Sequence, residues 1–119
     1  MNIHKVLLGA ILIKPDLAPY SLPDLEIEHF PADLQPVFAA LSGLWNAKGQ
    51  LDAVEACSRY PEQRTAIMEC VEECEGEYIA ITRDRVEEWT QLVRERAALT
   101  QFQSLALSLI HISEPTRPE

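Results

Sequence analysis

The residues best suited to chemistry in this sequence are two cysteines, Cys70 and Cys74, together with the histidines His4 and His29. A spacing of four places both thiols on one face of a helix, where thiolate and imidazole groups are suitable ligands for zinc. Structural zinc sites normally use two close ligand pairs, and the sequence offers no second pair. We therefore expect no metal, and thiols that pack as small hydrophobic side chains.

A run of carboxylates in the same region raises the possibility of a carboxylate-bridged metal centre. Such centres in helical bundles take a Glu-x-x-His motif from each of two facing helices, and the sequence does not supply that arrangement. We expect a solvated helix face instead, because acidic side chains are rarely buried without partners. The run consists of Glu69, Glu72, Glu73, Glu75 and Glu77.

Nucleophilic and phosphate-binding chemistry lacks its local patterns. The serines have no glycine context of the nucleophile-elbow type, and the scattered residues His4, His29 and His111 define no triad. None of the four glycines begins a G-x-x-x-x-G-K-[ST] phosphate loop. We therefore expect no catalytic residue, no cofactor-binding residue and no enzymatic activity in this chain.

Length and charge restrict the class of protein. The chain has 119 residues, of which 47% are hydrophobic, and this suits a single folded domain. Its 10 basic and 19 acidic residues give a net charge of −9, so we expect no direct binding to nucleic acid. The apolar run 6–13 is too short to span a bilayer. Three cysteines and the lack of a signal-peptide pattern predict a reducing, cytoplasmic location.

The elements that position these residues are predicted to be helices, because no segment shows sustained apolar and polar alternation. Gly49 and Gly76 are expected to end the second and fourth helices, and Thr82 or Asp84 to cap the last. Pro36 is compatible with the second helix only in its first turn. The fold class is thus predicted to be all-α, a small bundle of about five helices. They are expected at about 3–13, 31–49, 53–60, 62–76 and 85–110.

The last helix carries two apolar stripes. Val86, Trp89, Val93 and Ala97 form the first, which suits packing on the preceding helices. The second is offset by about 100°, and a 26-residue helix spans about 39 Å, longer than a domain of this size is wide. We therefore expect the second stripe to bind a partner, the alternative being a helix that folds back into the core. The predicted interface comprises Leu92, Leu99, Phe102, Leu105, Ala106 and Leu109.

Three blocks in order carry a resemblance to a known family. They are 6-VLLGAILIKPD-16, 29-HFPADLQPVFAALSGLWNAKGQLDAV-54 and 91-QLVRERAAL-99. The first is similar to an apolar opening helix with an x-P-D turn, the second to a Phe-containing loop and its helix, and the third to the entry into a helical hairpin. Across roughly residues 3 to 110, the chain resembles the N-terminal domain of bacterial and phage replicative DNA helicases of the DnaB type.

The resemblance implies a specific role. In these helicases the domain is a helical bundle extended by a hairpin that pairs between subunits, and it contributes to hexamer organisation and to docking of primase or a helicase loader. ATP and Mg²⁺ belong to a separate C-terminal ATPase domain, so the resemblance implies that this chain alone lacks unwinding activity. Residues 1–92 would form the bundle and 93–110 the first arm of the hairpin.

The segment 111-HISEPTRPE-119 contains two prolines and no apolar periodicity. We expect it to be unstructured and non-native, following a hairpin whose return arm is cut off; ordinary disorder at a natural C-terminus is the alternative. A different class of function also stays open. In that reading the chain is a stand-alone acidic regulatory protein, and its acidic face, rather than its apolar helix, binds a basic partner.

Overall fold

The computed structural model describes the backbone of residues 2–113, and the side chains of 2–103, 105 and 106. The fold is all-α, as predicted, and the described residues contain no β-strand. Short 3₁₀ turns connect the helices at Pro15–Tyr20, Leu22–Asp24, Ile27–His29 and Pro61–Gln63. The α-helices are α1 (Ile3–Ile13), α2 (Gln35–Lys48), α3 (Ala53–Arg59), α4 (Arg64–Gly76) and α5 (Arg83–Ser113).

Helix α1 is the centre of the core. Its N-terminus is capped by the Asn2 side chain, which accepts a hydrogen bond from the Lys5 amide at 3.2 Å. Most of its side chains are buried, and it packs mainly against α4 and also against α5. The contact with α4 is close at Gly9, where an added Cβ would lie 2.1 Å from the carbonyl oxygen of Cys70. The apolar run at the start of the chain is therefore a buried core helix.

Helices α2 and α3 show how proline and aspartate set helix starts. Helix α2 begins at Gln35, later than the predicted start between Pro31 and Asp33. The reason is Pro36, which has no amide hydrogen and fits a helix without loss of a hydrogen bond only in the first turn. Helix α2 ends at Gly49 with φ of 72°, as predicted. Asp52 caps α3, since its carboxylate accepts a hydrogen bond from the Val54 amide at 2.9 Å.

Helix α4 ends at Gly76, as predicted, and Glu77 is its cap residue. The left-handed conformation is adopted by Tyr78, with φ of 55°. The amides of Glu77 and Tyr78 donate to the carbonyls of Cys74 and Glu75, both at 3.2 Å, which satisfies acceptors at the helix end. The left-handed residue after this helix is therefore Tyr78 and not a glycine.

Helix α5 is anchored at its start and extends beyond the bundle. Thr82 is the cap, and its hydroxyl accepts from the Arg85 amide at 3.2 Å. The guanidinium of Arg83 lies 4.2 Å from the ring centroid of Tyr20. The buried hydroxyl of Thr90 donates to that of Ser21 at 2.8 Å. These contacts attach α5 to the Pro15–Tyr20 turn and the chain that follows it.

The length of α5 gives the molecule an elongated form, with principal extents of 62 × 29 × 24 Å. The helix runs to Ser113, three residues beyond the predicted end at 110, so residues 111–113 are helical rather than unstructured. The first proline beyond 110 is Pro115, and nothing in 111-HIS-113 breaks a helix. Residues 114–119 lie outside the described residues. Within the described part of the chain, no helix has both the length and the apolar character needed to cross a membrane.

Candidate interaction surface

The first half of α5 closes the core and the second half leaves it. Val86, Trp89 and Val93 are buried, as the first apolar stripe predicted. Farther along the helix, Leu99 is 57% exposed, Phe102 68% and Leu105 65%. We call residues 97–106 of this helix the apolar arm. The helix therefore changes from a core element to an exposed one within about two turns.

The other predicted interface residues have different environments. Leu92 is half-buried and packs against the core, so it belongs to the bundle rather than to the exposed part of the arm. Ala106 is half-buried. The side chain of Leu109 lies outside the described residues. The exposed part of the predicted surface is thus made by Leu99, Phe102 and Leu105.

The exposed apolar side chains of the arm have no charged residue among them. Between Ala97 and Ser113 the sequence contains no Asp, Glu, Lys or Arg. Burying a Leu or Phe side chain contributes roughly 1.5–3 kcal/mol relative to leaving it in water. Contiguous exposed apolar side chains of this kind are typical of surfaces that bind another protein. The arm can therefore gain several contacts of substantial free energy when a partner covers it.

Cys70 and Cys74, the two thiols weighed as zinc ligands, lie in the core. Burial raises the pKa of the Cys70 thiol to about 12 and that of Cys74 to about 11, the second with help from Glu75 and Glu77. Zinc binding requires thiolates, which these environments disfavour. No group of three or more potential ligands is placed to hold a metal ion among the residues that the structure describes. Both residues lie in the core cluster on α4, the helix that packs on α1, and act there as packing groups.

A histidine and aromatic cluster lies beneath the base of the arm, and sequence reasoning missed it. The amide of Glu26 donates to Nδ1 of His29 at 2.9 Å, which closes the Ile27–His29 turn. The ring of His4 meets the ring of Phe30 edge-on, with centroids 5.7 Å apart. Phe30 in turn stacks on Phe38 at 4.8 Å. The cluster joins α1, the turn and α2, and contacts between residues so far apart in sequence leave no local signal.

The electrostatic environment of His4 reflects this position. Burial lowers the pKa of its imidazole below the ordinary value, and the nearby charge of Arg96 acts in the same direction. Asp33 and a hydrogen bond to the backbone of His29 oppose these effects on the pKa without cancelling them. The neutral imidazole is therefore the form that fits the folded protein.

A second apolar surface lies between α3 and α4. Two large side chains stand exposed there, Val54 at 76% and Met68 at 42%. They line a groove of about 600 Å³ together with Ala53, Cys57, Ser58, Pro61 and Arg64. We call this the α3–α4 groove. The spacing of Cys70 and Cys74 placed both thiols on one face of α4, but no sequence pattern predicted this exposed apolar strip.

The chain has no match among the family models, curated proteins and solved structures with which it was compared.

Proposed function

We propose that this chain is a non-catalytic oligomerisation and protein-docking domain of a replicative DNA helicase of the DnaB type. The observation that carries the proposal is the exposure of Leu99, Phe102 and Leu105 on a helix that leaves its own bundle. The three sequence blocks that resemble the helicase N-terminal domain support the replication context. The arm associates with another copy, and primase or a helicase loader docks on the assembly.

The physical basis of this proposal is burial of apolar surface rather than attraction between charges. Each of the three exposed side chains removes apolar area from water when a partner covers it. The all-α bundle supplies a rigid support, because the buried residues Val86, Trp89 and Val93 hold the base of the helix. Preorganisation of this kind reduces the entropy lost on binding. A rigid apolar helix is thus suited to permanent assembly.

The proposal assigns catalysis elsewhere. ATP and Mg²⁺ bind to a separate ATPase domain of the helicase, and this chain hydrolyses no ATP by itself. It acts in the cytoplasm, in keeping with its free cysteines Cys57, Cys70 and Cys74. Its net charge of −9 supports contact with proteins rather than with nucleic acid.

Analytical ultracentrifugation tests the self-association. We expect the wild-type chain to show concentration-dependent association, and Leu99→Asp or Phe102→Asp to shift it to monomer, since a buried carboxylate is strongly disfavoured. Thr100→Asp is the matched control because it adds the same charge at an exposed polar position of the same helix, on the side away from Phe102. A wild-type chain that stays monomeric at high concentration would contradict the self-association.

Calorimetric titration with bacterial primase tests the docking role. We expect binding by the wild-type chain and a loss of at least tenfold in affinity for Phe102→Asp, which corresponds to about 1.4 kcal/mol. Circular dichroism of each variant establishes that the fold is unchanged. Equal primase affinity for the wild type and the Leu99→Asp and Phe102→Asp variants would exclude the arm as the docking surface.

The acidic face of α4 supports a second candidate function, a regulator that binds a basic partner. Glu69, Glu72 and Glu75 are exposed on this helix. Lys5 lies 3.6 Å from the Glu69 carboxylate. Binding by this face should weaken steeply with salt and should be abolished in Glu72→Lys, whereas Phe102→Asp should leave it unchanged. Such a result with a basic partner would favour the regulator over the helicase domain.

A further inference from the structure

We infer that the Ile27–His29 turn sets the direction in which the apolar arm leaves the bundle, with His29 and Ala97 as positioning residues. The consequence for assembly rests on the proposed self-association, whereas the direction of the arm is a property of a single chain. The observations behind the inference are two clefts beside the turn, the hydrogen bonds that hold the turn, and the side of α5 that it contacts.

The turn supports α5 between two open clefts. At about 100° per residue, Arg94 and Arg96 lie on opposite sides of Ala97. A cleft of about 420 Å³ lies on the side of Arg94, and one of about 280 Å³ lies on the side of Arg96. Glu28, His29 and Ala97 line both clefts, so they stand between them. Helix α5 packs on the turn at this point, and Ala97 is half-buried.

The turn is held firmly from behind. The amide of Glu26 donates to Nδ1 of His29 at 2.9 Å, and the amide of His29 donates to the carbonyl of Glu26 at 3.0 Å. The next residue, Phe30, is buried and stacks on Phe38 of α2. Its carbonyl also accepts from the Gln35 side chain at 3.0 Å. The turn is therefore attached to the core and gives the helix a fixed support.

The turn contacts the arm on the side opposite its exposed apolar side chains. On an α-helix, Leu99, Phe102 and Ala106 lie roughly 140° to 200° around the axis from Ala97. The turn thus leaves these side chains free and meets the helix behind them. A partner that covers them finds an arm with a fixed direction, which reduces the freedom lost on binding.

The length of the arm amplifies small displacements at the turn. Val93 is fully buried and holds the helix four residues before Ala97. With a rise of about 1.5 Å per residue, Ala97 lies about 6 Å and Gln103 about 15 Å beyond Val93. A displacement of about 2 Å at Ala97 therefore moves Gln103 by about 5 Å. The size of the side chain at position 97 thus decides where the arm points.

Double electron–electron resonance measures the direction of the arm within one chain. One spin label is attached to Cys57, which is half-buried on α3, and the other to Gln103→Cys on the arm. Cys70 and Cys74 are buried and stay unlabelled. A Phe102→Asp background keeps the labelled chain monomeric, so that all distances are intramolecular. We expect one narrow distance distribution for this reference protein.

A bulky side chain at position 97 should redirect the arm. We expect Ala97→Trp to shift or broaden the distance distribution by about 5 Å, because the indole separates the helix from the turn. Leu99→Trp is the matched control, since it adds the same ring on the opposite, exposed side of the helix. We expect its distance distribution to equal that of the reference protein.

A second variant loosens the turn without enlarging the arm. His29→Ala removes the acceptor of the Glu26 amide and should broaden the distance distribution. His29→Gln supplies a new acceptor, as glutamine does in capping boxes, and should restore the narrow distribution. An unchanged distribution in both Ala97→Trp and His29→Ala overturns the inference. A lower free energy of unfolding for His29→Ala in urea would then show that the turn only stabilises the bundle.

Ultracentrifugation with Phe102 restored measures the consequence for assembly. We expect Ala97→Trp and His29→Ala to weaken self-association at least tenfold, and His29→Gln to associate like the wild type. If the distances change but the variants associate as the wild type does, the role of arm direction in assembly is overturned. If the wild type stays monomeric, the proposed self-association fails, and the distances alone still decide whether the turn directs the arm.

Discussion

At the residue scale, burial divides the three cysteines into two chemical groups. Cys70 and Cys74 are buried against α1, and burial raises the pKa of both thiols well above the ordinary range. Cys57 is half-buried at the edge of the α3–α4 groove. Their shared residue type predicts equal reactivity in the unfolded chain, so any difference in the native protein arises from packing.

Thiol labelling measures this difference. With a maleimide at neutral pH, we expect the native protein to incorporate one label, at Cys57, and the denatured protein to incorporate three. Cys57→Ser should abolish labelling of the native protein and leave two sites after denaturation. Rapid modification of Cys70 or Cys74 in the native state would show that α4 does not pack on α1 as described.

The imidazole of His4 makes stability depend on pH. Its pKa in the folded protein is lowered below the ordinary value of 6.5, chiefly by burial. The imidazole therefore binds a proton more strongly in the unfolded chain than in the folded protein. As pH falls below 6.5, the free energy of unfolding decreases, and the decrease stops once the pH is below the pKa of His4 in the folded protein. Above pH 6.5 the contribution of His4 to the free energy of unfolding is fully present.

Urea denaturation at a series of pH values measures this effect. We expect the urea midpoint of the wild type to fall between pH 7.5 and pH 5.5, with the values chosen to bracket the ordinary pKa of about 6.5. In His4→Phe, which retains an aromatic contact with Phe30, the decrease should be smaller. An identical pH profile for the two proteins would contradict the role assigned to His4.

At the scale of elements, the contact between α1 and α4 depends on a residue without a side chain. A Cβ at position 9 would lie 2.1 Å from the Cys70 carbonyl oxygen and 2.9 Å from the Cys74 Cβ. The nearest obstacle is backbone, which cannot rotate away as a flexible side chain can. Gly76 lies in the same pair of helices, but nothing stands within 4 Å of its Cβ position.

These two glycines form a matched pair for mutagenesis. We expect Gly9→Ala to lower the free energy of unfolding by about 3 kcal/mol, because α1 and α4 must separate to admit the methyl group. Gly76→Ala should raise it by up to about 1 kcal/mol, since alanine favours a helix where space is free. Chemical denaturation of both variants provides the measurement. A neutral Gly9→Ala would show that the two helices are not in close contact.

At the scale of the whole molecule, charge and apolar surface are separated. The chain has a net charge of −9, yet residues 97–113 contain no Asp, Glu, Lys or Arg. Like-charged bodies repel at low ionic strength, and salt screens that repulsion over about 10 Å at 0.1 M. Salt does not weaken the free energy gained when the apolar arm is buried.

The salt dependence of self-association follows from this separation. We expect association of the wild type to persist or strengthen as NaCl increases from low to high concentration, as measured by ultracentrifugation. Phe102→Asp should stay monomeric throughout. Association that weakens steeply with salt would indicate contacts between charges and would support the acidic face of α4 as the interaction surface.

Local signals in the sequence predicted most of the elements. Asp52 and Thr82 cap helices, Gly49 ends one, and the steps of three and four among Val86, Trp89 and Val93 identified a buried face. Each depends on residues only a few positions apart, whose preferences act before any tertiary contact forms. The exposed positions of Leu99, Phe102 and Leu105 followed from the same periodicity combined with the length of the helix.

The tertiary structure decided the features that depend on distant residues. It placed Leu92 against the core and put Tyr78 rather than Gly76 in the left-handed conformation. It also brought His4 to Phe30 and opened a groove between Val54 and Met68. Composition, helix periodicity and capping are properties of short segments and are therefore determined by the sequence itself. Grooves, close helix contacts and burial arise only when segments far apart in the chain pack together, because their geometry depends on all the partners at once.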